Sequence, residues 1–151
     1  MMSSHFPQEL RLDSSLRLDF AAGGNEYSLL KIEGISTPET WRGVWSDARM
    51  LRTCMLHFLT PLPTDFQCTI VAKAFGNNSQ NGIKLRIGAI VKYLELTPEG
   101  TQISFPVSLD DPVTIIEFIP AYTAAPNDLG LSNDNRKLSI GLHSIELIPN
   151  L

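Results

Sequence analysis

Trp41 and Trp45 bracket a glycine in the run Trp41-Arg42-Gly43-Val44-Trp45-Ser46-Asp47. On an extended chain, residues four apart point the same way, so both indoles would share one face. An exposed indole pair offers a flat apolar surface to the C–H face of a sugar ring, and Arg42 and Asp47 stand beside it to hydrogen-bond hydroxyls. The competing reading makes both indoles core anchors, since tryptophan is large and highly buried on average. Gly43 between them marks a bulge or the close approach of another backbone.

Two further clusters carry polar chemistry. Gly76-Asn77-Asn78-Ser79-Gln80-Asn81-Gly82 places Asn77 and Asn78 in a polar turn. Each amide offers a donor and an acceptor, as a sugar ligand requires, but the same residues also serve a plain hairpin turn. Asn133-Asp134-Asn135-Arg136 resembles an oxygen-rich cation or sugar site without the spacing of a calcium loop. Its alternative is a structural loop pinned by Asx turns and an Asp134–Arg136 contact.

The signals for catalysis are weak. His5, His57 and His143 are scattered, and His57 and His143 fall inside strand patterns. No zinc-type Cys/His spacing, nucleophile elbow, P-loop or dinucleotide fingerprint occurs, so no metal or cofactor is expected. Asp110-Asp111-Pro112 reads as a turn in preference to a catalytic carboxylate pair. An independent hydrolase would need such a pair set across a cleft.

The elements that must position these residues are strands. Leu10, Leu12, Leu16, Leu18 and Phe20 share one parity, and Phe66, Cys68, Ile70, Ala72 and Ala74 repeat it. That period of two marks half-buried strands. Shorter runs are expected at 28–33, 53–59, 83–87, 90–96, 102–107, 113–119 and 138–148. Gly, Pro and Asn clusters punctuate them, which gives about nine strands at sandwich spacing and an all-β, jelly-roll-like antiparallel β-sandwich. Residues 121–137 form the longest stretch without a strand pattern, the place to look first for function.

The chain has 151 residues, enough for one well-cored domain. Hydrophobic residues at 43% and charged residues at 19% exclude disorder and a coiled coil. A net charge of −4 with no basic run leaves no footprint for nucleic acid or an anionic membrane. No apolar run is long enough for direct membrane insertion, and the first residues lack the pattern of a signal peptide. The doubled Met at the start fits an excised piece of a longer protein. Cys54 and Cys68 flank Pro61-Leu62-Pro63, so a hairpin there would bring them close enough to bridge; the alternative is two buried free thiols.

Three blocks carry a family resemblance: Glu39–Ala48; Ala72–Asn78 followed by Ile83–Gly88; and Leu129–Leu142. In order and spacing they resemble the C-terminal periplasmic β-sandwich domain of bacterial membrane phosphoglycerol transferases acting on osmoregulated periplasmic glucans, and related surface-polysaccharide glycosyltransferases. The resemblance spans residues 29–149, which sets residues 1–28 apart as an N-terminal strand or extension before a sandwich domain at 29–151. It implies a cell-envelope setting and a non-catalytic accessory role beside a separate transferase domain. The partners expected are a glycan and that catalytic domain, with the alternative of a structural or protein-interaction sandwich that has no glycan ligand. The candidate glycan residues are Trp41, Arg42, Trp45, Asp47, Asn77, Asn78, Asn133, Asp134 and Arg136.

Overall fold

The computed structural model describes residues 15–20, 29–35, 43–50, 52–76 and 82–150. Among these residues ten strands form two antiparallel sheets: β1 (Leu16–Asp19), β2 (Leu29–Glu33), β3 (Val44–Trp45), β4 (Cys54–Phe58), β5 (Asp65–Ala74), β6 (Ile83–Ile87), β7 (Ile90–Leu94), β8 (Thr101–Ser108), β9 (Ile115–Pro120) and β10 (Ile140–Pro149). The first sheet runs β1-β10-β5-β8, with β3 also on β10; the second runs β2-β4-β9-β6-β7. The expected all-β sandwich is the observed architecture.

Alternation explains which side chains meet. In β5, Phe66, Cys68, Ile70, Ala72 and Ala74 point inward and are buried, while Gln67, Thr69, Val71 and Lys73 face outward. The second sheet contributes Leu56, Phe58, Ile83, Leu85, Ile87, Ile116 and Phe118 to the same core. Burying each such side chain contributes roughly 1.5–3 kcal/mol, which sets the register of every strand against slipping by one residue.

Successive strands mostly change sheets; among the described residues β6 and β7 are the only consecutive strands that pair with each other, through Gly88-Ala89. Gly88 has φ +59°, the left-handed conformation that a two-residue hairpin turn demands. This topology corrects the cysteine hairpin. β4 lies between β2 and β9, whereas β5 lies between β10 and β8, so Pro61-Leu62-Pro63 crosses from one sheet to the other. Cys54 and Cys68 reach the core from opposite sheets and are both free thiols.

The first strand belongs fully to the sandwich: Leu16–Asp19 pairs with Leu147–Ser144 of β10. Beyond it on the same edge of β10, Val44 and Trp45 pair with Leu142 and Gly141. β3, absent from the strand pattern read in the sequence, is too short for periodicity to reveal.

Candidate functional site

The segment from Ser46 to Arg49 is clamped into the start of β10. The Ser46 amide donates to the Ile140 carbonyl at 2.9 Å, and the Ile140 amide donates to Ser46 Oγ at 3.0 Å. Ser46 Oγ also meets Ser139 Oγ at 2.7 Å, and both serines are buried. The Asp47 amide donates to the Gly34 carbonyl at 2.8 Å, and the Ala48 amide to the Lys137 carbonyl at 2.9 Å.

Asp47 itself is only 2% exposed. Its Oδ1 accepts the Lys137 and Arg49 amides, each at 3.1 Å, and its Oδ2 accepts Arg49 Nη2 at 2.9 Å. Burial pushes the carboxyl's pKa up, but the hydrogen bonds and charge of Arg49 and the Lys137 amide outweigh it and hold the group below its usual value. A buried carboxylate engaged in this way ties two loops together and has little reach left for a ligand.

The long loop at 121–137 is organised by the same device. Asp134 takes Arg136 in a bidentate grip, with Oδ1 to Nε at 3.0 Å and Oδ2 to Nη2 at 2.6 Å. The Arg136 bond holds the Asp134 carboxyl below its ordinary pKa. Asn127 Nδ2 donates to Asn135 Oδ1 at 2.7 Å, Lys137 Nζ reaches Asp128 at 3.0 Å, and Gly130 closes a turn at φ +72°. Asn133 is exposed. Arg49 feels the charges of Asp134 and Arg136, so Asp47, Arg49, Asp134 and Arg136 form one charged cluster.

Trp45 lies outside the core, half-buried on the outer face of the first sheet. Its ring meets Phe75 edge-on at 5.8 Å, and Lys73 Nζ lies 5.0 Å from its ring centre. The reason is register. Trp45 pairs with Gly141, which pairs with Lys73, so the central position of the row has no side chain and the ammonium reaches across it to the indole.

Beside Lys73 a shallow groove of about 270 Å³ is lined by Val71, Ala72, Lys73, Glu99, Gly100 and His143. His143 follows inward-facing Leu142 and so falls on the outer face, and it is the residue left unpaired where β10 slips register against β5 between Leu142 and Ser144. The turn carrying Glu99 and Gly100 is pinned by Thr97, whose Oγ1 donates to the Gly100 carbonyl at 3.0 Å and accepts the Gly100 amide at 3.1 Å. Gly100 has φ +125°, and a Cβ there would meet nothing within 4 Å, so this rim is open.

Of the sequence candidates, the structure gathers Asp47, Asp134 and Arg136 into the charged cluster and sets Trp45 beside the groove. Trp41, Arg42, Asn77 and Asn78 lie outside the described residues. Lys73, Glu99 and His143, which line the groove, are not among the sequence candidates. A signal for His143 exists in the sequence: inward parity is even through Leu138, Ile140 and Leu142, then odd at Ile145 and Leu147. That change of phase requires an extra residue between them. Among the described residues, no three His, Cys, Asp or Glu side chains group as a metal site.

Comparison with known proteins places the fold among carbohydrate-binding modules. The C-terminal CBM6 of LamC, a laminarinase from Zobellia galactanivorans, superposes with a TM-score of 0.50 at 9% identity, over 89% of this chain and 99% of that one. CBM1 of BiXyn10A in its apo form gives 0.55, also at 9% identity, over 93% and 99%. In sequence, phosphoglycerol transferase I of Escherichia coli O6:K15:H31 is 35% identical over 133 residues, and that of Citrobacter koseri 31% over 130. Each match takes in 85% of this chain but only 17% of the transferase, so the chain spans about a sixth of these relatives' length. The expected kinship with phosphoglycerol transferases is borne out, and the family match begins well before residue 29, where the resemblance first became visible. Matched from residue 7 to residue 149, the chain belongs to the family described as Domain of unknown function (DUF7024).

Proposed function

We propose that this domain is the non-catalytic glycan-binding accessory of a cell-envelope glycan transferase, working in the periplasm beside a catalytic domain in a longer parent chain. The observation that carries the reading is Trp45: a half-buried indole outside the core, braced by Phe75 and Lys73, beside the groove that Lys73 lines. A braced aromatic presents a flat apolar surface at little conformational cost, which suits the C–H face of a pyranose ring. The transferase relatives and the carbohydrate-binding modules of similar fold support it.

Calorimetric titration of the chain with envelope glucan oligosaccharides tests this. Weak but saturable binding is expected, lost in Trp45→Ala while the variant still melts cooperatively. Absence of heat at millimolar glycan removes the reading.

A second reading, packing against the catalytic domain, is favoured by the second sheet. Its outer strand β7 exposes Val91 and Tyr93, and Ile115 of β9 is also exposed. Such surface apolar residues suit a protein interface. Charged replacements at Val91 and Tyr93 would then disturb docking in the full-length transferase and leave glycan affinity intact.

A further inference from the structure

We propose that the end of the sandwich where the chain enters and leaves is the seat of the neighbouring domain of a longer parent chain, and that this neighbour covers it with an apolar patch rimmed by cations. The inference rests on the parent-chain part of the reading above and not on glycan binding. It uses a different surface from the Val91–Tyr93 face.

Register places both exits together. Leu16, where β1 begins, pairs with Leu147 near the end of β10, and Pro149 pairs with Phe66 at the start of β5. Asn150 is then tied to Asp65 twice, its amide to the carbonyl at 2.9 Å and its Nδ2 to Oδ1 at 3.0 Å. In whichever direction a longer chain continues, it departs from this end. The match takes in only 17% of each transferase relative, so in such a parent most of the chain is tethered here. A tether holds its neighbour at high effective concentration, and a surface of modest size then suffices for docking.

The loops at this end form one rigid platform. The β4–β5 connection, 59–64, and the β8–β9 connection, 109–114, are laced together by backbone bonds. The Phe58 amide donates to the Thr114 carbonyl at 2.8 Å, the Leu62 amide to Val113 at 2.8 Å, and the Leu109 amide to Thr64 at 2.7 Å. Pro61, Pro63 and Pro112 fix the backbone between these bonds. Such a surface loses little conformational freedom on being covered.

Its charge is one-sided. Residues 59–64, 88–89 and 109–114 contain no Lys or Arg, whereas Asp110 and Asp111 are exposed and have no ion-pair partner among the described residues. The adjoining cations are engaged elsewhere: Arg86 pairs with Glu117 at 3.2 Å, and Arg17 stands opposite Glu146 in register. Leu59 is 50% exposed at this end and Ile148 41%. The opposite end is balanced, since Arg49, Arg136 and Lys137 each meet a carboxylate, from Asp47, Asp134 and Asp128. Unmatched carboxylates beside exposed apolar side chains call for cations around an apolar contact, and such mixed surfaces are usual between domains of one chain.

Single cysteines placed in the parent chain and in the 151-residue chain test this, through their rates of reaction with a neutral maleimide read site by site by mass spectrometry. Thr64→Cys and Leu59→Cys report the platform, Tyr93→Cys the second sheet and Leu129→Cys the far end. Buried Cys54 and Cys68 stay silent unless a variant unfolds. The two platform cysteines are expected to react about tenfold or more slowly in the parent, as for a surface covered about nine-tenths of the time. Leu129→Cys should react equally in both chains. Replacing Asp110 and Asp111 together by Lys should restore the fast rate at Thr64→Cys, and replacing both by Glu should not. Equal platform rates in the two chains, or protection that survives the Lys pair, overturn the inference. Protection at Tyr93→Cys alone overturns it in favour of the second sheet. Each of these failures leaves glycan binding, read by titration, untouched; a gene that encodes these residues alone removes the parent-chain reading and the inference together.

Discussion

The Asp47 carboxylate accepts the backbone amide of Lys137 at 3.1 Å, joining two loops that lie ninety residues apart in the chain. The same carboxylate is gripped by Arg49, and the Ala48 amide returns a bond to the Lys137 carbonyl. Asp47 therefore holds the end of β3 to the start of β10, and it is β3 that carries Trp45 to the edge of the groove.

Replacing this carboxylate should be expensive in stability. Asp47→Ala leaves the Lys137 amide and the Arg49 guanidinium without their acceptor, and a loss of about 2–3 kcal/mol is expected for hydrogen bonds to a buried charge. Denaturant unfolding measures it. A loss under about 0.5 kcal/mol would show that the two loops are held by other contacts.

The same pair predicts an acid dependence. Because the folded-state pKa of Asp47 lies below its usual value, its contribution is complete above the ordinary carboxylate range and drains away as pH falls through the lowered folded value. Melting temperatures of the wild type and Asp47→Asn should thus differ most near neutral pH and converge in strong acid. A gap that stays constant with pH would count against the ionised form as the stabilising one.

Gly34 should tolerate no side chain. It sits at φ +81°, and a Cβ would stand 2.3 Å from the Thr53 carbonyl oxygen, which is backbone and has little room to give. Gly34→Ala is expected to destabilise by more than about 3 kcal/mol, from conformational strain and overlap together. Soluble expression followed by a thermal melt checks this.

The Ser46–Ser139 pair makes a smaller, sharper prediction. Ser46→Ala strips the buried Ile140 amide and Ser139 hydroxyl of a partner at once. A cost of about 1–3 kcal/mol follows from the desolvated groups left behind. The double variant Ser46→Ala/Ser139→Ala should cost less than the sum of the single changes, since the second removes one orphaned hydroxyl; a double-mutant cycle reads the difference.

Cys54 and Cys68 should be chemically silent in the folded chain. Burial pushes both thiols up to about 12, so almost no thiolate exists at neutral pH. A thiol reagent should label neither until denaturant is added, after which both react. Rapid labelling of the native protein would show that the core opens far more readily than its packing implies.

Most of the fold was legible because a sandwich strand announces itself by a local rule. The parity of Phe66 through Ala74 names its inward face without reference to any other strand, and burial follows that parity at each position. The site was less legible. Asp47, Asp134 and Arg136 were visible as residue types, but a carboxylate that binds a ligand and one that pins a loop look identical in sequence. Lys73 was invisible as a candidate because it occupies an ordinary outward position of a strand.

The sequence by itself determined the all-β class, the inward faces of the long strands and the kinship with phosphoglycerol transferases, since each depends on neighbours a few residues apart or on short blocks in order. Tertiary structure alone decided which strands share a sheet, and with that the separation of Cys54 from Cys68. It also set Trp45, Gly141 and Lys73 in one row and brought His143 to the groove. The physical reason is the same in each case: inter-strand register is fixed by burying two faces against each other, and no single strand carries that information.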